Sequence, residues 1–132
     1  MEAALILPVI LLIMVGLFEI GRAYQTFQVL TNAAREGARA SILPSGTSNG
    51  TKDVVLDYME GGALIGTPDM VNVNRSATMT VNGQIVGASQ VTITYPFQFI
   101  VLQPVARLVV GDSTVGGAFQ MTTSSLMRNE VQ

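Results

Sequence analysis

The sequence predicts an α+β protein in which one long amino-terminal helix packs on a small antiparallel β-sheet domain. An uninterrupted apolar run that continues as an amphipathic pattern predicts the helix. Short segments of alternating polarity, separated by turn residues, predict the sheet. The length of 132 residues suits one small domain with an extension. We therefore divide the chain into a helix over residues 1–43 and a small globular domain over residues 44–132.

The first part of the helix, residues 1–23, is apolar. Residues 3–18 carry no charge, Glu2 precedes them and Glu19 follows them. This uncharged stretch would span roughly 24 Å as a helix, slightly less than a hydrocarbon core of about 30 Å. Extension to Ala23, with Arg22 reaching the interface through its long side chain, makes spanning feasible. The segment therefore belongs in a membrane or in a bundle of its own copies.

Three other interpretations compete for this segment. A signal peptide usually starts with basic residues, whereas this start is acidic. A buried core helix needs a larger domain around it than the rest of the chain provides. An ordinary signal anchor is the strongest alternative, although Arg22, Arg35 and Arg39 all follow the run and would place the later domain in the cytoplasm. Removal of a basic leader would reverse that orientation, so the side of the membrane on which the later domain lies stays open.

The second part of the helix, residues 24–43, is amphipathic. Apolar residues three and four apart form a stripe that begins in the first part: Ile20, Ala23, Tyr24, Phe27, Leu30, Ala34 and Ala38. Small residues at 33, 34, 37 and 38 allow another backbone to approach closely. Leu43-Pro44 should end the helix. Within the apolar part, Pro8 predicts a kink, and Gly16 and Gly21 predict flexible or close-packing points.

The globular domain should begin with a polar linker over residues 44–51 and a short helix. Thr51 is the expected N-cap, and Val54, Val55, Tyr58 and Met59 are expected to face inward before Gly61-Gly62 interrupts the helix. Residues 67–69 predict a turn.

Three segments then predict strands. Residues 71–81 lead into Asn82-Gly83, a strong hairpin signal. Residues 90–97 alternate, with Pro96 stopping the strand or placing it at an edge. A loop or short helix around Pro104 precedes a final strand over residues 118–127. Three or four antiparallel strands result, and the long helix is expected to lie across them.

The composition argues against catalysis. The chain has no Cys and no His, so it lacks the thiolate nucleophile and the commonest catalytic base and metal ligand. The net charge of −2 gives no general attraction to nucleic acid. Asp53 and Asp57, four residues apart, are best explained as a solvated helix face. We expect no enzyme activity, no cofactor, no metal site and no nucleic-acid partner.

The amino-terminal residues resemble a known family. Glu2, the apolar run with Pro8, the junction at residues 19–22 and the segment TNAAREGAR at residues 31–39 resemble the signature of TadE-like pilins of the tight-adherence type IV pilus system. A strand ending in TYPF, a hydrophobic loop and a last strand near Arg128 are similar to the family more weakly. The resemblance implies a pilin-type fold and a structural role.

By that resemblance, a prepilin peptidase removes a basic leader and the subunit waits in the inner membrane. Assembly machinery then transfers it into an extracellular pilus at the cell surface, made of its own copies or of other pilins. The acidic residue of the family maps onto Glu2, although Glu2 stands nearer to the first residue than is usual in pilins. Major tight-adherence pilins are typically much shorter, which favours a minor component, while a homopolymer stays open.

The resemblance and the residue types together indicate assembly residues: Glu2, Pro8, Gly16, Glu19, Gly21 and Arg22. Glu2 would pair with the free amine of a neighbouring subunit, because a carboxylate beside an apolar segment is costly unless it is paired. Glu19 and Arg22, three residues apart, either pair locally at the membrane interface or contact charges on neighbouring helices. The alternative function is a monomeric, membrane-anchored extracytoplasmic binding module, against which the lack of aromatic clusters in the sequence counts.

Overall fold

A computed structural model describes residues 2–43, 46–110 and 117–129. Helix α1 spans Glu2–Ser41, helix α2 spans Ser48–Gly61, and a short 3₁₀ turn spans Pro68–Met70. Strands β1 (Val71–Val81) and β2 (Gln84–Phe97) follow, then helix α3 (Leu102–Val110) and strand β3 (Phe119–Arg128). The structure confirms the predicted α+β class, with a long helix followed by a three-stranded antiparallel sheet in the order β1-β2-β3.

Helix α1 is continuous over its 40 residues and contains Pro8. It ends three residues before the proline that was expected to stop it, and the Ser41 hydroxyl donates a hydrogen bond of 2.8 Å to the Ala38 carbonyl there. The chain divides into two compact units, which we describe separately. Unit 1 comprises Met1–Gln25 and Pro96–Gln120, and unit 2 comprises Thr26–Tyr95 and Met121–Gln132. The predicted division between residues 43 and 44 stays a prediction.

In unit 2, the second part of α1 packs into an apolar core with α2 and the sheet. Small residues make this possible, as predicted, because Ala33, Ala34 and Ala38 are completely buried. A side chain at Gly37 would collide with Val55 of α2, and Val91 of β2 would lie 3.3 Å from its Cβ. The close approach serves packing inside the subunit. The core is formed by Leu30, Ala33, Ala34, Ala38, Val55, Met59, Val71, Ala88, Val91, Ile93 and Met121.

Helix α2 begins earlier than predicted. Its N-cap is Thr47, whose Oγ1 accepts a hydrogen bond of 3.0 Å from the Gly50 amide, so the assignment of Thr51 as the cap was wrong. The earlier start places Thr51, Val55 and Met59 four residues apart on one buried face. Tyr58 lies off that face and is 43% exposed, contrary to the prediction, while Val54 is half-buried.

The sheet follows the predicted segments closely. Residues 71–81 form β1, and the hairpin turns at Asn82 and Gly83, both with positive φ (52° and 80°), as a type I′ turn requires. Strand β2 starts at Gln84, well before the predicted residue 90, because it pairs with β1 directly from the turn. Pro96 lies within β2, three residues past Ile93, where the pairing with β1 ends. The segment around Pro104 is helix α3.

Candidate functional site

The apolar part of α1 exposes most of its large side chains. Twelve large side chains from Ile6 to Tyr24, the first residue of the second part, are between 49% and 66% exposed: Ile6, Leu7, Val9, Ile10, Leu11, Leu12, Ile13, Met14, Leu17, Phe18, Ile20 and Tyr24. They contrast with the buried positions farther along α1. The helix is long and apolar enough to cross a membrane by length and composition. So much apolar surface on one helix needs a covering, which lipid or other protein chains can supply.

Six of these exposed residues follow a seven-residue repeat. They are separated alternately by four and three positions and lie on one side of α1: Ile6, Ile10, Ile13, Leu17, Ile20 and Tyr24. We call this set the heptad stripe. Apolar residues at this spacing form the seam along which parallel helices pack in coiled coils. The stripe predicted from the sequence shares only Ile20 and Tyr24 with it, although the repeat could have been found in the sequence.

Glu19 interrupts the apolar part of α1 but does not face solvent. Its side chain is completely buried, and its Oε1 accepts hydrogen bonds from the backbone amides of Ile100 at 2.9 Å and Val101 at 2.8 Å. Its Oε2 accepts a hydrogen bond of 3.1 Å from Arg22. The carboxylate thus meets three donors, all within unit 1, which compensates for its loss of water.

Arg22 also contacts the segment that Glu19 binds, at residues 97 and 98. Its Nη2 also donates to the carbonyl of Gln98, and its guanidinium carbon lies 4.6 Å from the centre of the Phe97 ring. Phe97, Phe99 and Phe119 form a cluster with ring centres 5.3 to 5.7 Å apart. Folding brings Phe119 to Phe97 and Phe99, so the folded chain contains an aromatic cluster that the sequence does not show.

An apolar groove of about 390 Å³ lies between α1 and α3 in unit 1. The described residues that line it are all apolar: Pro8, Leu11, Leu12, Val15, Leu102 and Val105. The α1 residues of the groove lie on the side of the helix away from the heptad stripe. Helix α3 therefore partly covers one side of the apolar segment, and the stripe residues stay exposed.

The predicted assembly residues fall into four groups. Pro8 lines the groove, and Glu19 and Arg22 hold residues 98–101. A Cβ added at Gly16 or Gly21 would meet no other atom within 4 Å, so both positions are open. Glu2 lies in α1, but its side chain falls outside the described part of the structure. An intersubunit role for these six residues stays a prediction.

The partners of Glu19 and Arg22 could not have been found from the sequence. They lie 76 to 82 positions away along the chain, and they are backbone groups that any residue type carries. Local pairing of Glu19 with Arg22, which was predicted from their spacing, is present. Among the described residues, no group of three acidic side chains is placed to hold a metal ion.

Comparison with known proteins gives a family match. The model of the family described as TadE-like protein matches residues 1–39. No curated protein matches the chain. No solved structure matches it either. The family match confirms the resemblance over the amino-terminal helix, residues 1–39 of the 132, and together with the exposed apolar segment it suggests association with a membrane or a pilus system.

Proposed function

We propose that the chain is a structural subunit of a tight-adherence-type pilus and polymerises through α1 into an extracellular filament. The heptad stripe carries this proposal, because six large apolar side chains in regular register remain exposed on α1, while α3, in the described part of unit 1, lies against another side of that helix. Copies of α1 would bury the stripe against one another. The subunit performs no chemistry in this role.

The membrane would serve as the reservoir before assembly. Lipid tails solvate an apolar helix about as well as another helix does, so packing rather than water exclusion must favour the bundle there. Gly16 and Gly21 leave open space on α1 where a neighbouring backbone can approach. In the filament, where water is the alternative environment, burial of each large apolar side chain contributes roughly 1.5–3 kcal/mol. A prepilin peptidase and pilus assembly machinery would act on the subunit between these two states.

Glu2 provides a first test. A carboxylate at the start of the apolar segment is costly in hydrocarbon unless a cation compensates it. In our proposal that cation is the terminal amine of a neighbouring subunit. We expect Glu2→Lys to insert into the membrane normally and to abolish filaments, as measured by membrane fractionation and by electron microscopy of sheared material. Glu60→Lys, at an exposed position of α2, is the control for a simple change of charge. Normal piliation in Glu2→Lys would remove the pairing argument.

A second test addresses the filament itself. Surface-sheared material from cells that express the tagged chain is imaged, and the tag is located by immunogold labelling. Regular labelling along filaments supports the structural role, and labelling confined to tips indicates a minor component. Recovery of the chain only as a monomer in detergent extracts of membranes, with no filament labelled, would contradict the proposal and favour the membrane-anchored binding module.

A further inference from the structure

Helix α3 lies beside the part of α1 that is apolar enough to enter a membrane. The groove residues of α1 extend from Pro8 to Val15, which lie 11 and 4 positions before Glu19. At 1.5 Å per residue, they are roughly 16 and 6 Å from Glu19 along the helix axis. A bilayer that surrounds the apolar part of α1 up to Glu19 therefore also surrounds the residues of α3 that line the groove.

We propose that α3 and its preceding residues form a second membrane-contact segment, which enters the lipid bilayer beside α1. This inference rests on the membrane-anchored stage of the proposed function. The partner is the bilayer itself, because the segment is continuous with the apolar surface of α1. Ile100 is 62% exposed, and Phe119, a member of the aromatic cluster, is 42% exposed. Arg107, the one charged residue of α3, is exposed and suits anionic headgroups.

Three backbone groups just before α3 are hydrogen-bonded to side chains of α1. Unpaired amides at the start of a helix are costly in lipid. Here the amides of Ile100 and Val101 are bonded to Glu19, and the carbonyl of Gln98 is bonded to Arg22. Pro104, in the first turn of α3, has no amide hydrogen to satisfy. Glu19 and Arg22 therefore act as positioning residues that lower the cost of moving residues 98–101 out of water.

Single cysteines test this directly, because the chain has none of its own. We choose Ile100→Cys as the probe, Leu17→Cys as the reference inside α1, and Ile85→Cys as the matched control in the β1–β2 hairpin, where the isoleucine is 77% exposed. Each full-length variant is labelled with an environment-sensitive fluorophore and reconstituted into phosphatidylcholine–phosphatidylglycerol vesicles. Quenching by nitroxide-labelled lipids reports contact with the bilayer. Ile100→Cys keeps the backbone amide that bonds to Glu19.

We expect labels at residues 100 and 17 to be quenched and to emit at shorter wavelength than the label at residue 85. Quenching at residue 17 alone would overturn the inference while leaving the membrane anchor intact. Absence of quenching at both residues would overturn the anchor and the inference together. Pro104→Cys, at an exposed position of α3, is a second probe in case the Ile100 label disturbs the segment. Its label should also be quenched, and a label exposed to water would count against the inference.

Discussion

The two parts of α1 differ in the size of their side chains and in how far those side chains are buried. Between Ile6 and Tyr24, large side chains stand exposed around much of the helix. Between Thr26 and Ser41, the buried positions include alanines and Gly37, whose small size lets α2 and the sheet come close. Both parts carry apolar side chains that can be buried by packing against another element. The difference teaches that small residues beside a single large one, Leu30, mark the helix face used inside the subunit, whereas large apolar residues at regular spacing mark the face left for other partners.

The largest expected effect concerns Glu19, whose carboxylate is buried although most large side chains around it on α1 are exposed. Glu19→Ala removes the acceptor of two amides and of Arg22, and we expect a loss of about 3 kcal/mol in the local stability of this contact. Hydrogen exchange at the amides of Ile100 and Val101 measures it. Glu19→Gln keeps an acceptor oxygen and should lose less. Unchanged protection of both amides in Glu19→Ala would show that the contact does not hold α3 in place.

A matched pair of glycines on α1 tests the comparison of the two parts. Gly37→Ala places a methyl group against the buried, stiff side chain of Val55, and we expect it to lower the free energy of unfolding by about 2 kcal/mol. Gly16→Ala meets open space and should leave that free energy unchanged or slightly higher. Chemical denaturation in detergent, followed by circular dichroism, compares them. Equal effects would contradict the distinction between the two parts.

A smaller effect is expected at the start of α2, the helix whose Val55 packs against Gly37 in the second part of α1. Thr47→Ala removes the oxygen that accepts from the Gly50 amide, and we expect a loss of about 1 kcal/mol in the free energy of unfolding. Thr122→Ala, at an exposed position of β3, is the control. If the two substitutions have the same effect, packing rather than capping determines where α2 begins.

The local features of the fold could be predicted from the sequence. The strand over residues 71–81 and its Asn82-Gly83 turn are specified by neighbouring residues, since the turn requires positive φ at both positions. The long helix follows from its uninterrupted pattern. The start of α2 was misplaced because Thr47 and Thr51 are both capping residues, and only the burial of Thr51 with Val55 decides between them.

The candidate site could be predicted only in part. The choice of Glu19 and Arg22 came from charges beside an apolar run, and their mutual pairing followed from their spacing. Their contacts with residues 98–101 depend on how distant segments meet, which no local pattern encodes. The same is true of the groove, because α3 was visible in the sequence only as an apolar segment around Pro104.

The central claim is that α1 assembles through the heptad stripe, and disulfide cross-linking within filaments tests it most directly. Leu17 lies on the stripe and is 66% exposed, whereas Met14 lies off it and is 62% exposed. A disulfide needs Cα atoms within about 7 Å, so only facing positions react efficiently. In oxidised, sheared filaments we predict covalent oligomers from Leu17→Cys well in excess of those from Met14→Cys. Equal cross-linking of the two variants, or none at residue 17 in intact filaments, would contradict the account.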